Sequence, residues 1–259
     1  MTKILQLSNI VGLLLVLTMN ALANILPIAG YNTGELSDMY PNLFVPAGLT
    51  FSIWGVIYLL LIGFAIVQSK GLFNSNNESP AFVDKIGWIF VLNCLLNAGW
   101  ILAWHHQLIV LSLFIMVGLL YTLVVIYERL VSTSENTTRS YRFFVSLPFS
   151  IYLGWICIAT IANFTTFLVD IKWNGFGISE SVWAISVISI GTLINLYYLL
   201  KRNDLFFPLV GIWAFLGIAL KRSEVDPIIF PVLISAAVCA SILFLAISYK
   251  SFSILRKGI

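Results

Sequence analysis

The sequence predicts an all-α integral membrane protein with eight transmembrane helices. Three observations carry that prediction. Charged residues are scarce: 14 Lys+Arg and 11 Asp+Glu make up 10% of 259 residues, where a soluble domain carries about 25%. Hydrophobic residues make up 60% of the chain, and mean hydropathy is +0.99. Apolar runs of bilayer-crossing length recur from end to end, separated by short turn and charge signals. So few charges cannot cover a 28.9 kDa body without leaving large apolar patches in water. That excludes a soluble enzyme, a nucleic-acid binder and a disordered regulator. The net charge of +3 is too small and scattered to imply an acidic polymer as partner, so no nucleic acid is expected.

A membrane helix needs about 20 mostly apolar residues. The first candidate is Ser8–Ala29. Its Lys3, apolar Val11–Met19 and Ala21-Leu22-Ala23 also have the shape of a cleavable secretory signal, but the apolar run continues through Ile25–Ile28 and favours a span. The others are Ala47–Gln68, Ile86–Trp104, Leu108–Tyr127, Phe143–Val169, Ser181–Leu200, Leu205–Leu220 and Pro227–Tyr249. The seventh is short and needs tilt, local thinning or burial between neighbours.

Orientation follows from the positive charges. With the N-terminus inside, eleven of the 14 Lys and Arg residues fall in inside segments. The other three, Lys172, Lys221 and Arg222, fall outside. Both termini are then cytoplasmic, in what reads as a bacterial inner membrane, and the loop Gly30–Pro46 faces outward. Cys94, Cys157 and Cys239 lie in apolar runs without CxxC spacing, which reads as small buried hydrophobes.

Catalytic and ion-coupling chemistry is not visible. Ionisable groups in hydrocarbon are functional candidates by default, and the spans hold almost none. Asp170 and Glu180 lie at span ends, so a proton- or ion-coupled pump is disfavoured, and no mid-span lysine offers a retinal Schiff base. No HExxH, GxSxG or phosphate loop occurs. His105-His106 could supply an axial haem ligand but read as a polar turn at the membrane edge. Asn77, Asn136 and Asn163 begin N-x-S/T triplets, but two fall in cytoplasmic segments and one within a helix.

The chain does hold aromatics inside its spans. Among 8 Trp, 10 Tyr and 19 Phe, Trp54 and Tyr58 lie one turn apart in the second span, Trp100 follows Asn97 in the third, and Trp155 is central in the fifth, with Thr160 and Asn163 beyond it. Buried indole and amide groups want hydrogen-bond partners that hydrocarbon cannot supply. They either satisfy one another across helix contacts or wall a pocket for a flat apolar ligand. Gly99 and Ala103 form a small-xxx-small pair that suits either a neighbouring helix or a homodimer.

Three stretches resemble the TspO/MBR family of tryptophan-rich sensory proteins: Pro46-Ala-Gly-Leu-Thr-Phe51-Ser-Ile-Trp54-Gly-Val-Ile-Tyr58, Leu96-Asn97-Ala-Gly-Trp100, and Trp155-x3-Ala159-Thr160-x2-Asn163. They fall in the family's order on the second, third and fifth spans. Leu49 stands where many members have a loop Trp, and Ile101-Leu102 replace a Ser-Pro. The resemblance implies a five-helix membrane bundle over 1–175. A further three-helix segment over 176–259 makes this a long, divergent member. It also implies a non-enzymatic receptor, sensor or carrier for a porphyrin, tetrapyrrole or sterol-like molecule. No cofactor would be required, and a porphyrin or haem-like molecule could be bound as ligand. Pro46, Phe51, Trp54, Tyr58, Asn97, Trp100, Trp155, Ala159, Thr160 and Asn163 would form the ligand site, with the loop Gly30–Pro46, bearing Asn32, Glu35 and Asp38, over its mouth. Two sterol-type patterns, at Val124–Arg129 and Leu193–Lys201, are of a weak kind. The alternatives are a secondary transporter gated by the last three helices, enzymatic breakdown of a bound tetrapyrrole, and a structural protein whose aromatics serve only packing.

Overall fold

The computed structural model of the protein describes residues 2–26, 28–72, 79–131, 138–225 and 227–256. Among them there is no strand, and eight long helices follow one another: α1 (Thr2–Ile25), α2 (Ile53–Gln68), α3 (Ile89–His105), α4 (Ile109–Val131), α5 (Leu147–Asp170), α6 (Glu180–Lys201), α7 (Phe207–Glu224) and α8 (Phe230–Arg256). Six helical stretches, those containing α1, α2, α4, α5, α6 and α8, are long and apolar enough to cross a bilayer. The α3 helix is apolar but has 17 residues, about 25 Å at 1.5 Å per residue, against a hydrocarbon core of about 30 Å. The α7 helix has 18 residues, but Lys221, Arg222 and Glu224 occupy its last turn.

Several helix limits differ from the expected spans, each for a local reason. The first helix stops at Ile25 rather than running to Ala29, and a separate 3-10 turn follows at Ile28–Gly30, with Ala29 at φ 57 outside the helical region. The second span opens as a 3-10 turn, Gly48–Ser52, before α2 begins. Gly87, at φ 63 and ψ −153, adopts a conformation that favours glycine. It separates a short helix, Ala81–Ile86, from α3. Ahead of α5 a π-helical turn, Arg142–Ser146, widens the ladder just before Pro148, which has no N–H to give. The Ser179 hydroxyl caps α6 by accepting from Val182 N, and Asp204 Oδ1 accepts from Phe206 N and Phe207 N where α7 starts.

The distribution of side chains is inverted relative to a water-soluble bundle. Leu14, Phe114, Leu193 and Phe244 are exposed, while Gln6, Asn9 and Asn20 of α1 are buried with Leu13, Val16 and Ala23. Polar groups turned inward, where they find partners, and leucines turned outward are what a hydrocarbon solvent demands. The long apolar helices and this outward apolar surface fit an integral membrane protein.

The chain forms two compact units, Met1–Leu36 with Ile53–Ile156, and Ser37–Ser52 with Cys157–Ile259. The division falls within α5. In the first unit α1 lies close against α3, an added Cβ on Gly12 falling 3.1 Å from that of Cys94. Phe64 packs on Phe82, Phe90 and Phe149 with centroids 5.0–5.8 Å apart. One end of α1 is clasped to α2: Gln6 Nε2 donates to Gln68 O at 2.5 Å and Asn9 Nδ2 to Gln68 Oε1 at 2.9 Å. In the second unit α7 packs against α6 and α8. At the α6–α7 crossing the Asn195 amide lies directly over Gly211, where an added Cβ would come within 2.6 Å of Asn195 Cγ. The segment Ser37–Ser52 is strapped to α7: Ala47 N donates to Gly217 O at 3.0 Å, Trp213 Nε1 to Thr50 O at 2.9 Å, and Lys221 pairs with Asp38.

Candidate aromatic site

The first unit brings five of the expected site residues together from three helices. Trp54 of α2 is the hub. It stacks on Tyr58 one turn later, with centroids 5.5 Å apart and planes at 19°. It lies 6.3 Å from Trp100 of α3 and meets Trp155 of α5 edge-on at 6.2 Å. The i, i+4 spacing of Trp54 and Tyr58 places both on one helix face. Trp54, Trp100 and Trp155 are 7%, 5% and 2% exposed, so the indoles face the interior rather than lipid. They touch one another, and such ring pairs add about 0.5–1.5 kcal/mol each beyond area burial.

Asn97 is the polar centre of this cluster. Its Oδ1 accepts from Asn20 Nδ2 of α1 at 3.0 Å, and its own Nδ2 donates to Tyr152 Oη at 2.7 Å. Both ends of the amide are therefore engaged, which fixes its orientation. Tyr152 also meets Trp54 edge-on at 5.9 Å.

Three members were missed by the sequence reading. Tyr152 lies three residues before Trp155, a spacing that puts both on one side of α5. Trp104 lies four after Trp100 and stacks on it at 5.6 Å and 18°, its Nε1 donating to Thr33 O at 3.3 Å. Asn20 is one of four amides in α1, with Gln6, Asn9 and Asn24. The helical spacing could have found the first two. Nothing local pairs Asn20 with Asn97, 77 residues away.

The other five expected site residues lie in the second unit. Pro46 is buried in the segment strapped to α7, and Phe51 is half-buried in the turn before α2. Ala159 and Thr160 are half-buried on α5, one turn beyond Trp155, and Asn163 is 2% exposed. Burial of Asn163 removes it as a glycan acceptor; Asn77 and Asn136 lie outside the described residues. In the expected covering loop, Asn32 Oδ1 accepts from Gly34 N and Glu35 N, and Glu35 Oε2 accepts from Asn32 N. This reciprocal cap starts the short helix Thr33–Asp38.

One other reading changes. His105 belongs to α3 and is fully buried, its Nδ1 donating to Ile101 O at 2.9 Å, and only His106 is exposed. The expected polar turn at 105 is therefore the last turn of a helix packed on α1. Gly99 faces α4 of its own chain, an added Cβ falling 3.9 Å from Ile115 Cδ1. Of the two sterol-type patterns, Tyr127 is buried and Tyr197 is exposed. Among the described residues no group of three or more His, Cys, Asp or Glu could hold a metal ion.

The site is thus a buried, uncharged, aromatic cluster with one oriented amide, suited to flat apolar surface and to a single hydrogen bond. No curated protein and no solved structure matches the chain. A family model described as TSPO-like protein matches residues 6–249, a stretch that takes in α6, α7 and most of α8 as well as the three aromatic motifs. With that match over nearly its whole length, the chain belongs to the TSPO-like protein family.

Proposed function

We propose that this protein is a non-enzymatic membrane receptor, sensor or carrier for a flat hydrophobic molecule of porphyrin, tetrapyrrole or sterol-like shape, bound at the Trp54–Trp100–Trp155 cluster. The observation that carries the reading is the convergence of three indoles from three helices around Trp54. Because the rings touch, a planar ligand would enter by exchanging ring–ring contacts for ring–ligand contacts. Its gain is removal of its own surface from water, about 25 cal/mol per Å². Asn97, held by Asn20 and Tyr152, would present a fixed polar edge to the ligand.

The test is fluorescence quenching by protoporphyrin in detergent or nanodiscs. Trp100→Ala and Trp155→Ala are each expected to weaken binding at least tenfold, about 1.4 kcal/mol. Unchanged quenching in both variants would remove the cluster as the site. Flux of the bound compound in proteoliposomes separates a carrier from a receptor.

The membrane placement belongs to the same proposal: eight spans, both termini cytoplasmic, a bacterial inner membrane, and a five-helix bundle over 1–175 extended by 176–259. The Lys221–Asp38 pair within the second unit supports this reading, because eight alternating spans would bring residue 38 and the end of α7 to one side. A homodimer through Gly99 and Ala103 would have to form beside the contact that Gly99 already makes with α4.

A further inference from the structure

Arg222 is the only Lys, Arg, Asp or Glu among the described residues that is buried, at 5% exposure. It sits in the last turn of α7, beyond the apolar part of that helix. Its Nη2 donates to Val45 O at 3.5 Å, the outer limit of a hydrogen bond. Its Nε is enclosed and donates to nothing. The acid that acts on it is Asp38, which is also paired with Lys221, so two cations share one carboxylate. Burial pushes the guanidinium pKa down and Asp38 opposes the shift. A guanidinium held out of water with a donor unmatched is unfavourable. Its natural complement is a planar or tetrahedral anion accepting two parallel N–H groups. Phe44, Val45 and Pro46 are all buried in the strapped segment, and Val45 presents its carbonyl to the cation.

We propose that Arg222, beside the Val45 carbonyl of the strapped segment, is an anion subsite for the carboxylate or phosphate of an amphiphilic molecule. The anion has two sources, the carboxylate of a free amphiphile or the phosphate of a lipid headgroup. Neither rests on the receptor reading above.

The full chain in nanodiscs separates them. In the ligand arm, protoporphyrin IX is compared with its dimethyl ester, which keeps the ring and removes both charges. In the lipid arm, the unfolding temperature is compared between phosphatidylcholine discs with and without phosphatidylglycerol. Either an acid that binds at least tenfold tighter than the ester, or a stabilisation by phosphatidylglycerol, is expected for the unmodified chain. Arg222→Gln should abolish it, Arg222→Lys should reduce it, and Lys172→Gln, an exposed cation elsewhere, should leave it intact. The arm that responds names the source. If Arg222→Gln does not fold, Arg222→Lys decides by the same readouts. The proposal is overturned if the unmodified chain shows neither preference, or if both Arg222 variants keep it. The two readings fail separately: ester that binds the unmodified chain and Trp155→Ala equally removes the aromatic site, while the lipid arm still tests Arg222.

Discussion

Asn97 shows how much one side chain can decide inside an apolar bundle. Its amide joins α1, α3 and α5 through Asn20 and Tyr152, and water cannot replace either partner there. Asn97→Leu keeps the number and branching of side-chain heavy atoms but removes both hydrogen bonds, at a cost of about 1–3 kcal/mol in total, since hydrogen bonds within membranes are individually modest. The expected outcome is a lower unfolding midpoint in detergent, with ligand binding weakened further because Tyr152 is no longer held against Trp54. A midpoint equal to that of the unmodified chain would mean that the amide bridge does not stabilise the helix contacts. Legibility at this scale divides cleanly. Trp54, Trp100 and Trp155 were readable because an indole in the middle of an apolar run has few uses beyond a helix contact or a ligand. Asn20 and Tyr152 were not, because their meaning lies in pairings 77 and 55 residues long, which no local period encodes. Arg222 read as a loop charge because it follows Lys221, and sequence cannot tell that one of two adjacent cations turns inward.

At the level of elements, the eight helices were legible because apolar length is a one-dimensional property. Their ends were less so where glycine and proline act through backbone geometry, as at Gly87 and at the π turn before Pro148. The α6–α7 crossing illustrates what sequence hides: Gly211 is an ordinary glycine in an apolar run until Asn195 is placed on top of it. Gly211→Ala would set a methyl 2.6 Å from the amide and should destabilise by about 1–3 kcal/mol, as overpacking does. Asn195→Ala in the same chain should recover most of the loss, because it removes the atoms in conflict. A double-mutant cycle on thermal midpoints checks this, and additive losses would contradict the crossing. The strap has a similar pinch, since a Cβ on Gly217 would overlap Thr50 Oγ1. The α7 helix is therefore matched to the segment before α2 as closely as to its neighbouring helices.

For the whole molecule, the family resemblance pointed to five helices, while the family match runs over 6–249, through the last three as well. Contacts explain why these belong to the working protein. The segment Ser37–Ser52 and the second half of α5 form one compact unit with α6, α7 and α8, and α7 holds the strap. The proposed topology makes a direct prediction. Single cysteines at exposed Lys172 and Ser223 should react with an impermeant maleimide from outside intact cells, and one at exposed Lys201 should not. The reverse pattern would invert the orientation, and labelling of Lys172 without Ser223 would mean that α6 and α7 do not both cross. The charge bias supplied that orientation from sequence alone. The grouping of residues into two units was not readable, because the boundary falls inside a continuous apolar helix with no change of composition.

The Asn195 amide resting on Gly211 has a mechanical corollary. A slide of α7 along α6 by one turn would bring Phe207 or Phe215 to the space the amide fills. The pair therefore resists a piston stroke, and a working stroke in this half of the chain would swing the two rods as one.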